Sequence, residues 1–256
     1  MFIFGMGYTA KRVAAALGAR GWTVGGTGRD GTVAFGDGAA VRQALSGASH
    51  VLSSVPPSRE SGEDDVLARY GVEVERVAWR GFLSSTGVYG DAGGAWVDES
   101  APTGTGRRSA RAEADARWLA TGARVLRLPG IYGPGRSALD RVRDGKAHRI
   151  NLPGQVFSRV HVDDIVAGVV AAIEAPPGAY NLADDLPTSQ NAVIEEACRL
   201  LGIPPPPLQT MDEAGLSDMA RGFYAENRRV ANGKAKRVLG WRPKYPTYRE
   251  GLASLA

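Results

Sequence analysis

The chain has a single cysteine among its 256 residues, Cys198, so an internal disulfide is excluded and a reducing compartment is expected. Set in "VIEEACRLLG" at helical spacing, that thiol reads as a small buried hydrophobe. No apolar run approaches the roughly 20 residues that a membrane-spanning helix needs. Met1 leads straight into strand-like "FIF", which leaves no room for a signal peptide, so a cytoplasmic location is the expectation. Lysine is scarce. Most of the 31 basic residues are arginines scattered among 27 acids, with no Lys/Arg block and no alternation of basic with aromatic residues. That footprint speaks against nucleic acid as a partner. Residues 221–249 are a local exception, with nine basic side chains against Glu226 alone: a solvated face, or a surface that attracts an anionic ligand. No Cys/His/carboxylate spacing suggests a metal, and no internal repeat is present.

What the chain does have is alternation. "MFIF", "WTVGGT", "HVLSSV", "WRGFLSS", "ARVLRL" and "GAYNLA" read as short apolar strands. Between and after them, "TAKRVAAALGARG", "AVRQALSGA", "RSARAEADARWLATG", "DDIVAGVVAAIEA" and "QNAVIEEACRLLG" read as helices, with Asp163 or Asp164 placed to cap the fourth. This rhythm predicts an α/β fold: a Rossmann-type, doubly wound parallel sheet covered on both faces, with a smaller C-terminal substrate lobe. Between Thr27 and His50 there is room only for a short strand, "TVAF" (32–35), and one helix, so a trimmed third strand is expected. After Ala183 the regularity fades. "PPPP" at 204–207 reads as a stiff extended linker, followed by short helices around 212–220 and 247–255. The expected division is a dinucleotide-binding domain over 1–130 and 160–183, with the lobe over 131–159 and 184–256, packed on the carboxyl edge where such sheets bind ligands.

"FGMGYTAKRVAAAL" places Gly5-x-Gly7-x-x-Ala10 between a strand and a helix. Gly5 permits the tight turn, Gly7 lets backbone approach a pyrophosphate, and Ala10 lets helix and strand pack closely. Gly5, Gly7, Tyr8, Thr9 and Ala10 are therefore the expected cofactor contacts at a helix N-terminus. Where an NAD enzyme would carry an acid at the end of the second strand, "GGTGRD" has Thr27 and then Arg29. An arginine pairs with a 2′-phosphate that an acid would repel, so NADP is favoured over NAD, unless Asp30 turns inward instead. "SSVPPS" offers Ser53, Ser54, Val55 and Pro56 as a close wall beside the adenosine, or is simply a proline-terminated strand.

Together these residues resemble the extended short-chain dehydrogenase/reductase superfamily of NAD(P)-dependent epimerases and dehydratases. "LSSTGVYGD", "VLRLPGIYGPGR" and "VHVDDIVAGVV" stand in that family's order and spacing, and "NRRVANGKAKRVLGWRPKYPTYREGL" looks like its C-terminal segment. The similarity is greatest to an atypical subgroup with an S-x-P-P strand end. The resemblance implies that Ser85 hydrogen-bonds the reacting oxygen of a substrate and that Pro129 lies by the cofactor. It also implies a Tyr-x-x-x-Lys pair on the following helix, its tyrosine tuned for proton exchange. This chain lacks the pair: no tyrosine lies between Tyr89 and Tyr132, no lysine lies between Lys11 and Lys146, and no tyrosine is followed four residues later by lysine. One register puts Arg107 and Arg111 at the two positions, another Ala110 and Ala114. Thr86 could polarise a substrate, Tyr89, Tyr132 and Arg136 are expected around the substrate, and Arg159, Arg228 and Arg229 are candidates for a pyrophosphate. His161 is expected to be structural.

Two functions stay open at this point. One is an epimerase/dehydratase-like oxidoreductase acting on a small polar substrate, a nucleotide sugar being one candidate. The other is a non-catalytic NADP-binding redox sensor or partner-binding module. Relatives pair through helices flanking the sheet, but no long apolar stripe here compels a homodimer.

Overall fold

Phe2 and Phe4 of the first strand point to one face of a sheet and Ile3 to the other, and this two-residue period sets up two separate cores. The structure, a computed structural model, describes residues 1–106 and 109–256. The first half runs β1 (Phe2–Phe4), α1 (Tyr8–Gly18), β2 (Gly25–Gly26), α2 (Gly38–Ser46), β3 (His50–Ser53), α3 (Asp65–Arg76), β4 (Trp79–Ser85) and β5 (Trp96–Val97). Next come α4 (Ser109–Ala120), β6 (Arg124–Leu128), β7 (Gly130–Tyr132), α5 (Ala138–Arg143), β8 (Arg149–Ile150), β9 (Arg159–His161) and α6 (Val162–Ala171). The chain ends with β10 (Gly178–Asn181), α7 (Gln190–Leu201), β11 (Leu208–Gln209), α8 (Asp218–Tyr224), β12 (Arg229–Val230), α9 (Gly233–Val238) and α10 (Tyr248–Ala253).

Six strands form one parallel sheet in the order β10-β6-β4-β3-β1-β2. The chain leaves β1 to one side for β2 and returns to its other side for β3. The strand order therefore reverses at β1, and a crevice opens beyond its carboxyl end. On one face α1 and α6 bury Val13, Leu17, Ile165 and Val169 against Ile3 and Leu126. On the other, α2, α3 and α4 bury Val41, Tyr70 and Trp118 against Phe4 and Phe82. A third core joins α5, α7 and α10 through Leu139, Ile194, Cys198 and Leu252. Cys198 is buried there, as its spacing predicts.

One local expectation is sharpened, one helix is added and one expectation is corrected. "TVAF" is reduced to one parallel bridge, Val33 to Thr27. The chain folds back so tightly that a Cβ on Gly31 would lie 2.4 Å from the Gly26 carbonyl oxygen, and no ladder can extend. Helix α3 goes unread because Gly71 and the β-branched valines at 72 and 74 weaken its helical signature. Packing of Val66, Tyr70 and Val74 and an Asp64 cap accepting the Leu67 N–H at 2.9 Å stabilise it nonetheless. Neither Asp163 nor Asp164 caps α6. His161 does, its Nδ1 accepting the Asp163 N–H at 3.2 Å, and both aspartates lie within the first turn. The buried Asp164 carboxylate instead accepts the N–H groups of Lys244 and Tyr245, while Trp241 Nε1 donates to the Asp164 carbonyl at 2.9 Å. The C-terminal "LGWRPKY" is thereby fastened across the start of α6, beside the crevice.

Candidate functional site

The glycine turn after β1 contains two glycines that are present for different reasons. Gly5 has φ of +83°, and a Cβ there would meet Val55 Cγ2 at 2.9 Å, so the fold itself demands glycine. Its N–H donates to Thr27 Oγ1 at 3.2 Å, and its carbonyl accepts from Ser54 Oγ. Gly7 has φ of −88°, and a Cβ there would find only the Gly5 carbonyl oxygen, at 4.0 Å. Nothing among the described residues requires glycine at 7. It is the position past which α1 begins, with no side chain capping the helix and no acid in its first turn. The free N–H groups of that turn, with the helix dipole behind them, fit a diphosphate that must approach the backbone more closely than a side chain would permit. Ala10, 1 % exposed, seats α1 closely on the sheet.

Gly7, Tyr8 and Thr9 open onto a cavity of about 1080 Å³ beyond the carboxyl ends of β1, β4 and β6. Ser54, Pro56, Ser85, Thr86, Arg111, Pro129, Tyr132, Arg136 and Arg159 line the same cavity. Twelve residues expected at the site from sequence alone are thus brought together. Gly5, Ala10, Ser53, Val55 and Thr27 stand behind this surface. Arg29, solvent-exposed, follows the bridge residue Thr27, and the neighbouring Asp30 carboxylate is paired with Lys11. Arg107 lies outside the described residues.

Ser85 ends β4 and starts a single 3₁₀ turn, its Oγ accepting the Gly87 N–H at 3.1 Å. Its own O–H has no acceptor among the described residues and can donate into the cavity. Arg111 reaches the cavity from α4, whereas Ala114 is buried in the core beside Phe82 and Trp118. Of the two positions expected to hold the tyrosine–lysine pair, Arg111 lines the cavity, and a guanidinium there does not give up its proton. Four tyrosines line the cavity: Tyr8, Tyr132, Tyr224 and Tyr248. Burial raises the pKa of Tyr8, Tyr132 and Tyr224, the opposite of what proton exchange near neutrality needs. They stand as neutral phenols.

Tyr89, expected beside the substrate, is elsewhere. It is 3 % exposed, its O–H donates to Asn181 Oδ1 at 2.8 Å, and its oxygen accepts from Arg127 Nη1 at 3.0 Å. Arg127 in turn grips Asp115 of α4 with Nε and Nη2 at 3.0 and 2.6 Å, and Ser84 Oγ donates to the same carboxylate at 2.6 Å. This buried chain ties α4, β4 and β6 together directly beneath Ser85. Its sequence signals were an arginine inside the apolar strand "VLRL" and an aspartate on the helix that covers it.

Arg159, expected to meet a pyrophosphate, has its guanidinium turned to the carbonyls of Phe157, Thr188 and Ser189 at 2.9, 3.2 and 3.3 Å. Arg228 is held by the Gly90 carbonyl and by Glu226 at 2.9 Å, and Arg229 by the Gly94 carbonyl. Arg136 and Arg12 lie 5.7 and 4.1 Å from the centroid of the Tyr8 ring, so the segment after β7 meets the start of α1 here. Arg59 and Arg141 also line the cavity. Neither stood out in the sequence, because no motif singles either one out from the charged residues around it.

Beside Arg159 is a buried acid. Asp184 is 2 % exposed, accepts only the Leu186 N–H through Oδ1, and leaves Oδ2 without a hydrogen-bond partner. Burial pushes its carboxyl up to about 7 despite the nearby Arg159. The folded protein therefore holds this proton more tightly than the unfolded chain, whose carboxyl titrates near 4. The stability it contributes is complete below about pH 4 and is lost as pH rises through about 7. Melting curves from pH 5 to 8 are expected to show wild-type protein losing stability relative to Asp184→Asn, and parallel curves would contradict this.

No family model matches the chain. Among solved structures, a functionally unknown conserved protein from Silicibacter pomeroyi DSS is 42 % identical, with a TM-score of 0.87 over 99 % of this chain and 96 % of that one. Human epimerase family protein SDR39U1 with NADPH is 15 % identical, with a TM-score of 0.74 over 100 % and 99 %. UDP-glucose 4-epimerase of Thermotoga maritima with UDP-glucose is 19 % identical, with a TM-score of 0.80 over 100 % and 97 %. The latter two likenesses establish the fold. Among curated relatives, Protein YeeZ of Escherichia coli K12 is 29 % identical over 281 aligned positions, 95 % of each chain. A 3-diazoavenalumate denitrifying reductase of a Streptomyces species is 35 % identical over 143 residues, covering 50 % of this chain and 45 % of that one.

Proposed function

We propose that this chain, which belongs to the same family as the Silicibacter pomeroyi protein and carries the fold of NAD(P)-dependent epimerases and dehydratases, is an NADP-binding oxidoreductase of a small polar substrate. The observation that carries the reading is Gly7: a glycine that the fold does not need, at an uncapped helix start facing a large cavity. NADP rather than NAD is supported by Arg29 and by the pairing of Asp30 with Lys11, which neutralises the acid that would repel a 2′-phosphate there. The human neighbour's NADPH and the name of the Streptomyces reductase agree with a reductive role. The division into a dinucleotide domain (1–130 and 160–183) and a substrate lobe (131–159 and 184–256) is part of the proposal, as is a location in the cytoplasm.

When bound, the nicotinamide supplies or accepts the hydride. The chain's own part is positional and electrostatic. Ser85 donates a hydrogen bond to the substrate's reacting oxygen, held in place by the Gly87 N–H on its lone pair. Arg111 adds positive charge on the same wall, which stabilises an oxygen gaining negative charge without transferring a proton. Thr86 completes this edge of the cavity.

NADPH consumption by the purified protein, measured against a panel of carbonyl compounds and nucleotide sugars, tests the reading. Substrate-dependent turnover is expected, falling about 100-fold in Ser85→Ala, the usual cost of removing one such donor. A second reading, a non-catalytic NADP-dependent sensor, is favoured by the missing Tyr-x-x-x-Lys pair. Tight NADPH binding with no turnover, and a partner protein that binds only the loaded form, would establish it instead.

A further inference from the structure

Arg159 is a buried charge without a counter-charge. It is 6 % exposed, and burial lowers its pKa only to about 10, so it is still a cation at neutral pH. Backbone carbonyls and, at 3.5 Å, Gln190 Oε1 accept from Nη1 and Nη2, whereas Nε has no partner among the described residues. No acid among the described residues lies at ion-pair distance, and the nearby Asp184 carboxyl keeps its proton below about pH 7. Charges buried this deeply are as a rule paired.

The groups around Arg159 are donors. Tyr248 of α10, within electrostatic reach of it, is 3 % exposed and lines the cavity. The Tyr248 hydroxyl has no hydrogen-bond partner among the described residues. Gln190, the first residue of α7, offers its oxygen to Arg159 and keeps its amide hydrogens free of partners among the described residues. The first turn of α7 contains no acid, so the helix dipole adds positive potential there. Val193, three residues after Gln190, and Leu252, four after Tyr248, are their neighbours on the same helix faces and line the cavity too.

We infer that this corner of the cavity is a binding site for the carboxylate of a small ligand with a short apolar chain. The carboxylate accepts from Arg159 Nε, the Tyr248 hydroxyl and the Gln190 amide, and the chain lies along Val193 and Leu252. One negative charge balances the guanidinium. A dianion would bring a second, uncompensated charge into the same buried corner. The site is built from β9, α7 and α10, and does not depend on the proposed cofactor reading.

The test is calorimetric titration of the purified protein, without dinucleotide, at about pH 6, where hexanoate is ionised and Asp184 keeps its proton. Hexanoate is expected to bind with a Kd of about 1 mM or tighter, and neutral hexanamide and the dianion sulfate each at least about tenfold more weakly. Gln190→Glu, a change that suits the first turn of a helix, puts a carboxylate in the corner already. It should weaken hexanoate binding at least about tenfold with the melting curve unchanged. Tyr248→Phe should weaken it about fivefold, the loss of one hydrogen bond. Arg159 is left in place, because its bonds to carbonyls hold β9 to the lead-in of α7. The inference is overturned if hexanoate gives no saturable heat to about 20 mM, if the acid and its amide bind alike, if sulfate binds more tightly, or if Gln190→Glu binds hexanoate as wild type does. With no dinucleotide in the cell, none of these outcomes bears on the cofactor reading.

Discussion

Gly7→Val is expected to weaken NADPH binding by at least about 100-fold while lowering stability by only about 1 kcal/mol, the cost of valine rather than glycine at a helix N-cap. The separation of the two effects is the informative part. Among the described residues a Cβ at this position meets nothing closer than 4.0 Å, and the backbone angles suit any residue. A diphosphate lying on the first turn of α1 would be pushed away by an isopropyl group, losing both its amide hydrogen bonds and the dipole's attraction. Fluorescence titration with NADPH and a melting curve on the same sample read the two quantities. A variant that binds NADPH normally would mean that the cofactor lies elsewhere. Gly5→Val is the control with the opposite logic: at φ +83° and with Val55 in the way, it should damage folding itself.

The second large effect is expected at Asp115. Replacing it with alanine leaves Arg127, 3 % exposed, as an uncompensated buried charge and removes the acceptor of Ser84 as well. Losing one member of such a pair costs about 3–5 kcal/mol. For a chain of this length each kcal/mol lowers the melting temperature by roughly 2–4 °C, so a fall of about 6–20 °C is expected. The double change Asp115→Leu/Arg127→Met should recover most of the loss, because it removes the buried charge with its partner. A single variant within about 1 kcal/mol of wild type would show that the network carries no weight. Burial alone would lower the Arg127 pKa, but its hydrogen bonds to Asp115 and Tyr89 outweigh that and keep it fully charged. Because Ser84 adjoins Ser85, Asp115→Ala should also impair whatever Ser85 does.

The strands of the sheet were legible because each is a short apolar run bounded by glycine, proline or hydroxyl residues, and their parallel arrangement followed from the helices between them. The Gly-rich turn and "LSST" were legible for a chemical reason: small residues at a strand end mark backbone that faces a ligand. Helix α3 was not legible, since its stability comes from Val66, Tyr70 and Val74 meeting the sheet and not from local propensity. Tyr89 was misplaced because a motif gives chain position but not direction. Only the neighbours Arg127 and Asn181, distant in sequence, turn it inward. Arg59 and Arg141 escaped notice for a related reason: this part of the cavity wall is assembled from separate loops and short helices, with no period to read. The absence of the Tyr-x-x-x-Lys pair, by contrast, is a fact of sequence that the structure sharpens by placing Arg111 on the cavity wall instead.

Equilibrium titration of the purified protein with NADPH and, separately, with NADH tests the central claim most directly. Saturable binding of NADPH in the micromolar range is expected, with NADH weaker by about tenfold or more and the difference largely abolished in Arg29→Ala. No saturable signal with either dinucleotide at about 1 mM would contradict the account at its root.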